Sequence, residues 1–346
     1  MSFKNNLRYK MVMRAFPHIS LAGGYNYLRY KVSKKTPVYN LSSFRPILLT
    51  LVVNRVCNLT CSFCFASNTS AEEGKEYEGD VESVRKLLSL PVLKRVMMVG
   101  LTGGEPMLNK NLTSIIKMIR GQGRFVTLVT HGLLLKKRIK ELEKTGLSLL
   151  SLSLYDETMD DLASDLANFR TNLLLRTTKV ILREDLENNP EKIERCIEFS
   201  KNLGARGITL QIVMKRSNDD TSDIIYDDCE AYFSFKKQME IKYPDFQIDW
   251  PNPLKRKIFS SDKACKQPWF AVVSDIKGNS GLCCNYYPQG DDSYGNLFSG
   301  EPLQNSSAVN TQQKLRLRQG LLDREDKVPS DCKNCYTISD GWLSDY

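Results

Sequence analysis

The stretch Arg55-Val-Cys-Asn-Leu-Thr-Cys-Ser-Phe-Cys-Phe65 follows an apolar segment, Ile47–Val53, that has the composition of a buried strand. Its cysteines, Cys57, Cys61 and Cys64, have the spacing C-x3-C-x2-C. Three thiolates at this spacing can bind one compact iron–sulfur cluster and leave one iron without a protein ligand. Because open coordination positions are where metal chemistry occurs, the stretch predicts a redox enzyme built on an α/β fold.

Zinc or buried free thiols are the alternative interpretation of this motif. A structural zinc site usually has four protein ligands, and both histidines, His18 and His131, lie elsewhere in the sequence. The chain has ten cysteines, and no secretory signal is recognised at the N-terminus, so we expect metal ligation in a reducing cytoplasm. The longest apolar run, Ile47–Val53, is too short to span a bilayer.

Positive charge is concentrated at the N-terminus. The formal net charge is +9, and residues 1–71 contain ten Lys or Arg and no Asp or Glu. We expect residues 1–45 to form a basic helical segment, with apolar residues at four-residue spacing: Phe3, Leu7, Met11 and Ala15. Packing on the protein is the simplest interpretation; peripheral membrane contact, a wall for an anionic substrate and a transit peptide are the alternatives. Nucleic-acid binding is not expected, because no binding motif accompanies the charge.

Apolar runs alternate with helical patterns after residue 45. The strand candidates, rich in Val, Ile, Leu or Thr, are Pro46–Val53, Arg95–Leu101, Arg124–Thr130, Ser148–Leu154, Thr177–Leu182 and Gly207–Val213. The helix candidates are Asp80–Leu90, Asn109–Gly121, Leu134–Thr145, Thr158–Asn168, Pro190–Leu203 and Ser222–Lys242. Asp80, Asn109 and Thr158 are predicted N-caps, and Gly146 and Gly204 predicted helix ends. This alternation predicts parallel βα units in an open sheet or a barrel.

The composition changes near residues 243–260, where Pro, Asn, Ser, Asp and Gly become frequent. We therefore predict an α/β domain over residues 46–245 and a smaller module over residues 246–346.

A second motif, Leu101-Thr-Gly-Gly-Glu-Pro106, ends the second predicted strand. Two glycines allow a ligand to approach the backbone closely, and Glu105 can accept hydrogen bonds from an ammonium group. Together with the cysteine motif and Phe63, this loop resembles the radical S-adenosylmethionine (radical SAM) superfamily. The resemblance implies a partial (β/α)6 TIM-like barrel, in which residues Gly103, Gly104, Glu105 and Pro106 bind the methionine amino group of SAM.

Weaker matches to that superfamily follow at later strand ends. Thr130 and His131 occupy the place of a Thr-Asn-Gly motif, and His131 is interpreted as a neighbour of the SAM site, with an acid–base role as the alternative. Ser153 resembles a serine that contacts SAM. Arg183 could pair with the SAM carboxylate or orient a substrate, and a surface salt bridge is equally open.

The resemblance also implies a mechanism. Cys57, Cys61 and Cys64 would hold a 4Fe-4S cluster whose fourth iron binds the amino and carboxylate groups of SAM. An electron donor such as flavodoxin or ferredoxin would reduce the cluster. Cleavage of SAM would then give a 5′-deoxyadenosyl radical, which abstracts hydrogen from an unactivated C–H bond.

A second cysteine set lies in the C-terminal module and resembles the auxiliary-cluster module called SPASM or, in its shorter form, Twitch. The resemblance implies a second 4Fe-4S cluster held by Cys265, Cys283, Cys332 and Cys335. Cys284 is the alternative to Cys283, which is preferred because it lies five residues after Gly278. A zinc ribbon is the alternative site. Cys196 and Cys229 lie on predicted helices and are interpreted as small buried hydrophobic residues.

The sequence is compatible with three functions. The favoured one is a radical SAM oxidoreductase or epimerase that acts on a polar small molecule or a glycan, such as a sugar or cyclitol. A maturase of a ribosomally made peptide is the first alternative; the predicted N-terminal segment is shorter than the peptide-recognition domain that many such relatives carry. A non-catalytic metal-binding scaffold is the second alternative.

Overall fold

The fold is known from a computed structural model, which describes residues 46–61, 64, 76–94, 96–214, 220–254, 265, 267–283, 294–299, 311–323, 332 and 335. The predicted basic segment 1–45, Phe63 and Cys284 lie outside the described residues.

Within the described part of the chain, eight parallel strands form one sheet in the order β7-β6-β5-β4-β3-β2-β1-β8. They are β1 (Leu48–Val52), β2 (Met98–Thr102), β3 (Phe125–Thr130), β4 (Leu149–Leu154), β5 (Leu175–Ile181), β6 (Ile208–Ile212), β7 (Ile248–Asp249) and β8 (Ala271–Asp275). Among the described residues no pairing joins the edge strands β7 and β8, so the barrel is partial and open. The predicted α/β architecture is confirmed.

Helices connect most of these strands. They are α1 (Val81–Leu88), α2 (Leu112–Gly121), α3 (Leu135–Leu142), α4 (Met159–Asp165), α5 (Arg183–Asn188), α6 (Pro190–Asn202), α7 (Glu230–Lys242), α8 (Gln267–Phe270) and α9 (Gln312–Asp323). Two short 3-10 helices cover Pro106–Leu108 and Asp156–Thr158. None of the described helices is long and apolar enough to cross a membrane.

The core lies between the sheet and its helices. Along β4, the buried residues Leu150, Leu152 and Leu154 alternate with half-buried serines, so one face of the strand packs on the helices. Each fully buried leucine contributes roughly 2 kcal/mol of hydrophobic stabilisation. Cys196 and Cys229 are 0% and 2% exposed, as expected for small core residues.

The predicted helix ends at Asp80, Gly146 and Gly204 are confirmed, and the predicted N-cap at Asn109 is wrong. Asp80 caps α1 through a capping box with Ser83, and Gly146 and Gly204 have φ of +76° and +77° after their helices. Asn109 is not an N-cap, because α2 begins at Leu112. Its side chain instead donates hydrogen bonds to the Val53 and Gly79 carbonyls, at the two ends of the connection from β1 to α1.

The predicted N-cap role of Thr158 and the predicted helix start at Ser222 also need correction. Thr158 precedes α4, but its hydroxyl donates to the Tyr155 carbonyl and does not cap the helix. The predicted helix from Ser222 begins only at Glu230, because the backbone around Tyr226 pairs with Leu254 in a parallel bridge.

Two strands from beyond residue 246 join the same sheet as the six predicted strands. β7 pairs with β6, and β8 pairs with β1 along its whole length. The separate module over residues 246–346 remains a prediction, but its first part contributes to the barrel sheet.

Candidate functional site

The Gly-Gly-Glu-Pro loop after β2 packs on the start of the cysteine loop after β1. The Gly104 N–H donates to the Asn54 carbonyl at 3.0 Å, and the Glu105 N–H donates to the Val56 carbonyl at 2.8 Å. The Asn54 side-chain amide returns a hydrogen bond to the Glu105 carbonyl at 2.9 Å. The two predicted motifs therefore form one unit at the C-terminal edge of the sheet, where parallel α/β enzymes place their sites.

Both glycines of this loop are required by contacts within the protein. Gly103 has φ +147°, and a Cβ on it would lie 2.1 Å from the Asn54 carbonyl oxygen. A Cβ on Gly104 would lie 2.2 Å from the Val56 carbonyl oxygen. Close approach of a ligand, which the sequence predicts here, is therefore not needed to explain the glycines.

Glu105 is a buried hydrogen-bond acceptor, 1% exposed. Its Oε1 accepts from the Met107 N–H and the Thr130 hydroxyl, both at 2.8 Å. Its Oε2 accepts from the His131 N–H at 3.0 Å. The carboxylate thus joins the loops after β2 and β3. Pro106, the next residue along the chain, is buried and begins a short 3-10 helix. Its predicted contact with an ammonium group stays a prediction.

His131 is a buried neutral imidazole. Its Nδ1 accepts from the Leu133 N–H at 3.2 Å, so the ring proton lies on Nε2. That Nε2 lies 2.8 Å from Asn58 Oδ1 and 3.1 Å from Glu105 Oε2. Burial lowers the pKa of His131, although the Glu105 carboxylate opposes this shift. The imidazole therefore connects the end of β3 with the cysteine loop.

The three cysteines of the first motif converge. Cys57 and Cys61 are half-buried, Cys64 is exposed, and the Cys64 N–H donates to the Cys61 carbonyl at 3.2 Å. Burial, together with the nearby Cys64 and Cys57 thiols, raises the pKa of Cys61 to about 11. Such mutual repulsion between thiolates is relieved by a bound cation, so this donor set fits an iron–sulfur cluster.

The thiols are not arranged for a single metal ion. Within the described ranges, no three His, Cys, Asp or Glu side chains lie as ligands of one ion would. In a four-iron cluster each thiolate binds a different iron, so its ligands are spaced more widely than those of one ion.

Tyr155 belongs to the same region and was missed in the sequence. Burial raises its pKa, and the thiols of Cys61, Cys64 and Cys57 add to the increase, while a hydrogen bond with Ser153 opposes it. The phenol therefore lies near both the cysteine loop and the predicted SAM contact Ser153. Its place directly after β4, at the edge that carries the other motifs, is the signal that could have identified it.

Arg183 is the first residue of α5, two residues after the end of β5. Its Nε lies 2.6 Å from Glu187 Oε1, one helical turn along α5. This ion pair is one of the alternatives that the sequence left open, and a contact of Arg183 with SAM or a substrate stays a prediction.

The C-terminal cysteines are only partly described. Cys265 is buried, and Cys283, Cys332 and Cys335 are half-buried. Cys335 Sγ lies 3.6 Å from the sulfur of Met214, directly after β6, so this pair lies at the same edge of the sheet as the first motif. A four-ligand site remains a prediction.

Comparison with known proteins identifies the class that this fold and site define. The profile of the Radical SAM superfamily matches residues 51–228, about half of the chain, including both motifs. The chain belongs to the radical SAM superfamily. The SuiB structure from Streptococcus suis bound to S-adenosylmethionine is similar in fold, with a TM-score of 0.58 and 14% identity over 86% of this chain and 72% of that one.

Two curated relatives are similar in sequence. GTP 3′,8-cyclase of Helicobacter pylori (strain HPAG1) is 29% identical over 210 residues, 60% of this chain and 58% of that protein. PqqA peptide cyclase of Ruegeria pomeroyi is 25% identical over 257 residues, 67% of this chain and 65% of that protein. The chain thus matches less than two thirds of the length of these relatives.

Membership of the superfamily implies SAM and one 4Fe-4S cluster. When bound, these groups supply the one-electron cleavage that starts hydrogen abstraction. Cys57, Cys61 and Cys64 are the residues that would hold the cluster. Glu105 and His131 connect the loops that follow β1, β2 and β3.

Proposed function

We propose that this chain uses radical SAM chemistry to abstract hydrogen from a polar small molecule or glycan, such as a sugar or cyclitol, giving dehydrogenation or epimerisation. The observation that carries the proposal is the polar character of the sheet face that points away from the helices, which we call the inward face. The relatives named GTP 3′,8-cyclase are named for a polar small molecule, which agrees with this substrate class.

The inward face is polar along most strands. Thr177 contacts Ser200 of α6, so the residues that alternate with Thr177 face away from the helices. The register aligns Ser153 with Thr178, and Thr178 with Thr209, on that opposite face. Half-buried hydroxyl and amide side chains on it are Thr50, Thr102, Thr127, Ser151, Ser153, Thr178, Thr209 and Gln211. Such a surface can hydrogen-bond the hydroxyl groups of a polyol.

An apolar floor closes one end of this polar face. Phe125, Leu149 and Leu174 form a separate buried cluster with Met98 against it. These residues lie at the N-terminal ends of their strands, opposite the cysteine loop. A bound substrate would therefore lie between the floor and the cluster, where the polar side chains point.

A charged pair lies at the open side of the same face. Arg176 is aligned with Ser151 in the register, and its guanidinium is paired with Asp249 of the edge strand β7. The Arg176 guanidinium can donate hydrogen bonds to a polar substrate, and the Asp249 carboxylate can accept them. Its position at the unclosed edge suits a substrate that enters from the side.

The test is incubation of the anaerobically reconstituted full-length chain with SAM, reductant and a panel of sugars, aminocyclitols and nucleotides. Substrate-dependent 5′-deoxyadenosine and a product changed by two hydrogens, or an inverted carbon, support the proposal. Formation of 5′-deoxyadenosine without any change in the panel removes its substrate assignment.

A second cluster, held by Cys265, Cys283, Cys332 and Cys335, is proposed to exchange electrons with the substrate. About eight irons per chain after reconstitution support two 4Fe-4S clusters, and about four contradict the second. Cys335→Ser should remove only the second set, since it leaves the first motif intact. A zinc ribbon is contradicted if the C-terminal cysteines bind iron alone.

Peptide modification is the second candidate, favoured by one observation. The PqqA peptide cyclase of Ruegeria pomeroyi matches the larger share of this chain among the two relatives, 67% against 60%. A short precursor peptide encoded beside the gene, and cross-linked or oxidised by the chain, would support this candidate. A metal scaffold without catalysis is contradicted by any reductive cleavage of SAM.

A further inference from the structure

Arg55 joins three separate segments at the start of the cysteine loop. It lies two residues before Cys57, and its side chain is 10% exposed. Its guanidinium lies 3.0 Å from Asp275 Oδ2 and 3.7 Å from the centre of the Tyr77 ring. Asp275 is 220 residues away in sequence and ends β8, whereas Tyr77 lies where the chain returns from the cysteine loop.

Asp275 organises the turn that follows β8. Its Oδ1 accepts from the N–H groups of Lys277 and Asn279, both at 3.0 Å, and its Oδ2 accepts from the Asn279 amide at 3.1 Å. The turn passes through Gly278, with φ +85°, and leads to Cys283. The side chain of Asp275 is 0% exposed, so its charge is stabilised by these donors and by Arg55.

Tyr77 and its neighbours fix the far end of the loop. The Lys277 ammonium lies 4.2 Å from the centre of the same ring, so two cations contact it. Gly79 donates to the Val53 carbonyl at 2.8 Å, and its own carbonyl accepts from Asn109 at 2.8 Å. Both ends of segment 54–79 are therefore held beside each other at the end of β1.

Arg55 contacts both Asp275, which organises the turn after β8, and Tyr77, at the far end of the cysteine loop. Breaking a buried ion pair by removing one partner is far more costly than breaking an exposed pair, because the remaining charge stays buried. Loss of Arg55 or of the Asp275 charge should therefore release the backbone that carries Cys57, while the helices around the barrel keep their packing.

We propose that Arg55 is a positioning residue: its pair with Asp275 lets the turn before Cys283 set the geometry of the loop that carries Cys57, and with it the binding of SAM. The proposal does not depend on the substrate class, because it concerns the cluster loop alone. In this proposal the C-terminal region positions the first cysteine loop, whether or not electrons pass between the two regions.

The test uses the full-length chain after anaerobic reconstitution and needs no substrate. SAM affinity and the electron paramagnetic resonance signal of the reduced cluster, with and without SAM, are measured for Arg55→Gln and Asp275→Asn. Each variant should weaken SAM binding about tenfold, within the range usual for coupled sites. The double variant should bind SAM no worse than either single variant, because both remove the same interaction.

Two further variants make the result specific. Arg55→Lys keeps the charge that faces Asp275 and should restore most of the SAM affinity. Glu82→Gln removes an exposed ion pair with Arg85 on α1 and should change nothing. Near-ultraviolet circular dichroism verifies folding, and if Asp275→Asn does not fold, Arg55→Gln and Arg55→Lys still decide the question.

SAM affinity and cluster spectra unchanged in folded Arg55→Gln would overturn the proposal. So would independent, additive losses in the double variant, or equal losses in Arg55→Gln and Arg55→Lys. A failure to find a sugar or cyclitol substrate leaves these measurements unaffected, so the two proposals fail separately.

Discussion

The Nε2 of His131 lies 2.8 Å from the side-chain oxygen of Asn58, so the end of β3 holds the residue that follows Cys57. The same nitrogen lies 3.1 Å from Glu105 Oε2. One buried neutral imidazole thus contacts both loops that define the superfamily. An asparagine amide has a similar donor, which explains how His can stand where relatives are expected to have Asn.

His131 should make stability depend on pH. Burial lowers its pKa below the ordinary value of 6.5, so the unfolded chain binds more protons as the pH falls through that value. The free energy of unfolding should therefore decrease on acidification from about pH 8 to about pH 5.5. Urea unfolding of iron-free wild type and His131→Asn measures this, since Asn removes the titration and keeps a donor. An equal acid loss in both proteins would contradict the neutral buried imidazole.

Gly104→Ala should disrupt the site. A Cβ there lies 2.2 Å from the Val56 carbonyl oxygen, which is backbone and cannot rotate away. We expect a loss of roughly 3 kcal/mol or more in the free energy of unfolding, with little iron retained after reconstitution.

Gly121→Ala is the matched control for that substitution. It ends α2, and a Cβ there meets no atom within 4 Å. Alanine should leave stability unchanged or raise it by roughly 0.5–1 kcal/mol, since glycine is the poorer helix former. Equal effects at both glycines would show that the close contact between the two loops is absent in solution.

Glu105→Gln should destabilise the protein although the two side chains have the same shape. The amide presents N–H groups where the carboxylate accepts from three donors, so at least one buried donor loses its acceptor. A loss of roughly 2–3 kcal/mol is expected in chemical denaturation. Glu198→Gln, at an exposed position of α6, should change little. If the two losses are similar, Glu105 does not hold the loops together.

Substitutions on the inward face should change KM for the substrate more than they change substrate-free SAM cleavage. Thr178→Val removes a hydroxyl that lies 3.1 Å from the Ser151 hydroxyl. We expect KM for the substrate to rise about tenfold, the range for a lost hydrogen bond in a binding site, with substrate-free SAM cleavage unchanged. Thr177→Val, on the helix face of the same strand, is the paired control. A larger effect on SAM cleavage than on KM would place Thr178 with SAM and not with the substrate.

Local patterns predicted what local interactions determine. The strand Ser148–Leu154, the N-cap at Asp80 and the glycine ends of helices could be predicted, because the deciding contacts lie within a few residues. Adjacency of the two motifs followed from parallel strand order. The ion pair between Arg55 and Asp275 and the bridge from Tyr226 to Leu254 were not readable, since each depends on segments far apart in the chain.

The proposed activity requires that Cys57, Cys61 and Cys64 hold a cluster that cleaves SAM at this site. The most direct measurement is 5′-deoxyadenosine formed by the anaerobically reconstituted chain with SAM and reductant, compared with Cys61→Ser. We expect product from the wild type and none from the variant, together with a loss of about four irons per chain. Equal product from both proteins, or none from a wild-type chain that carries its iron, would contradict it.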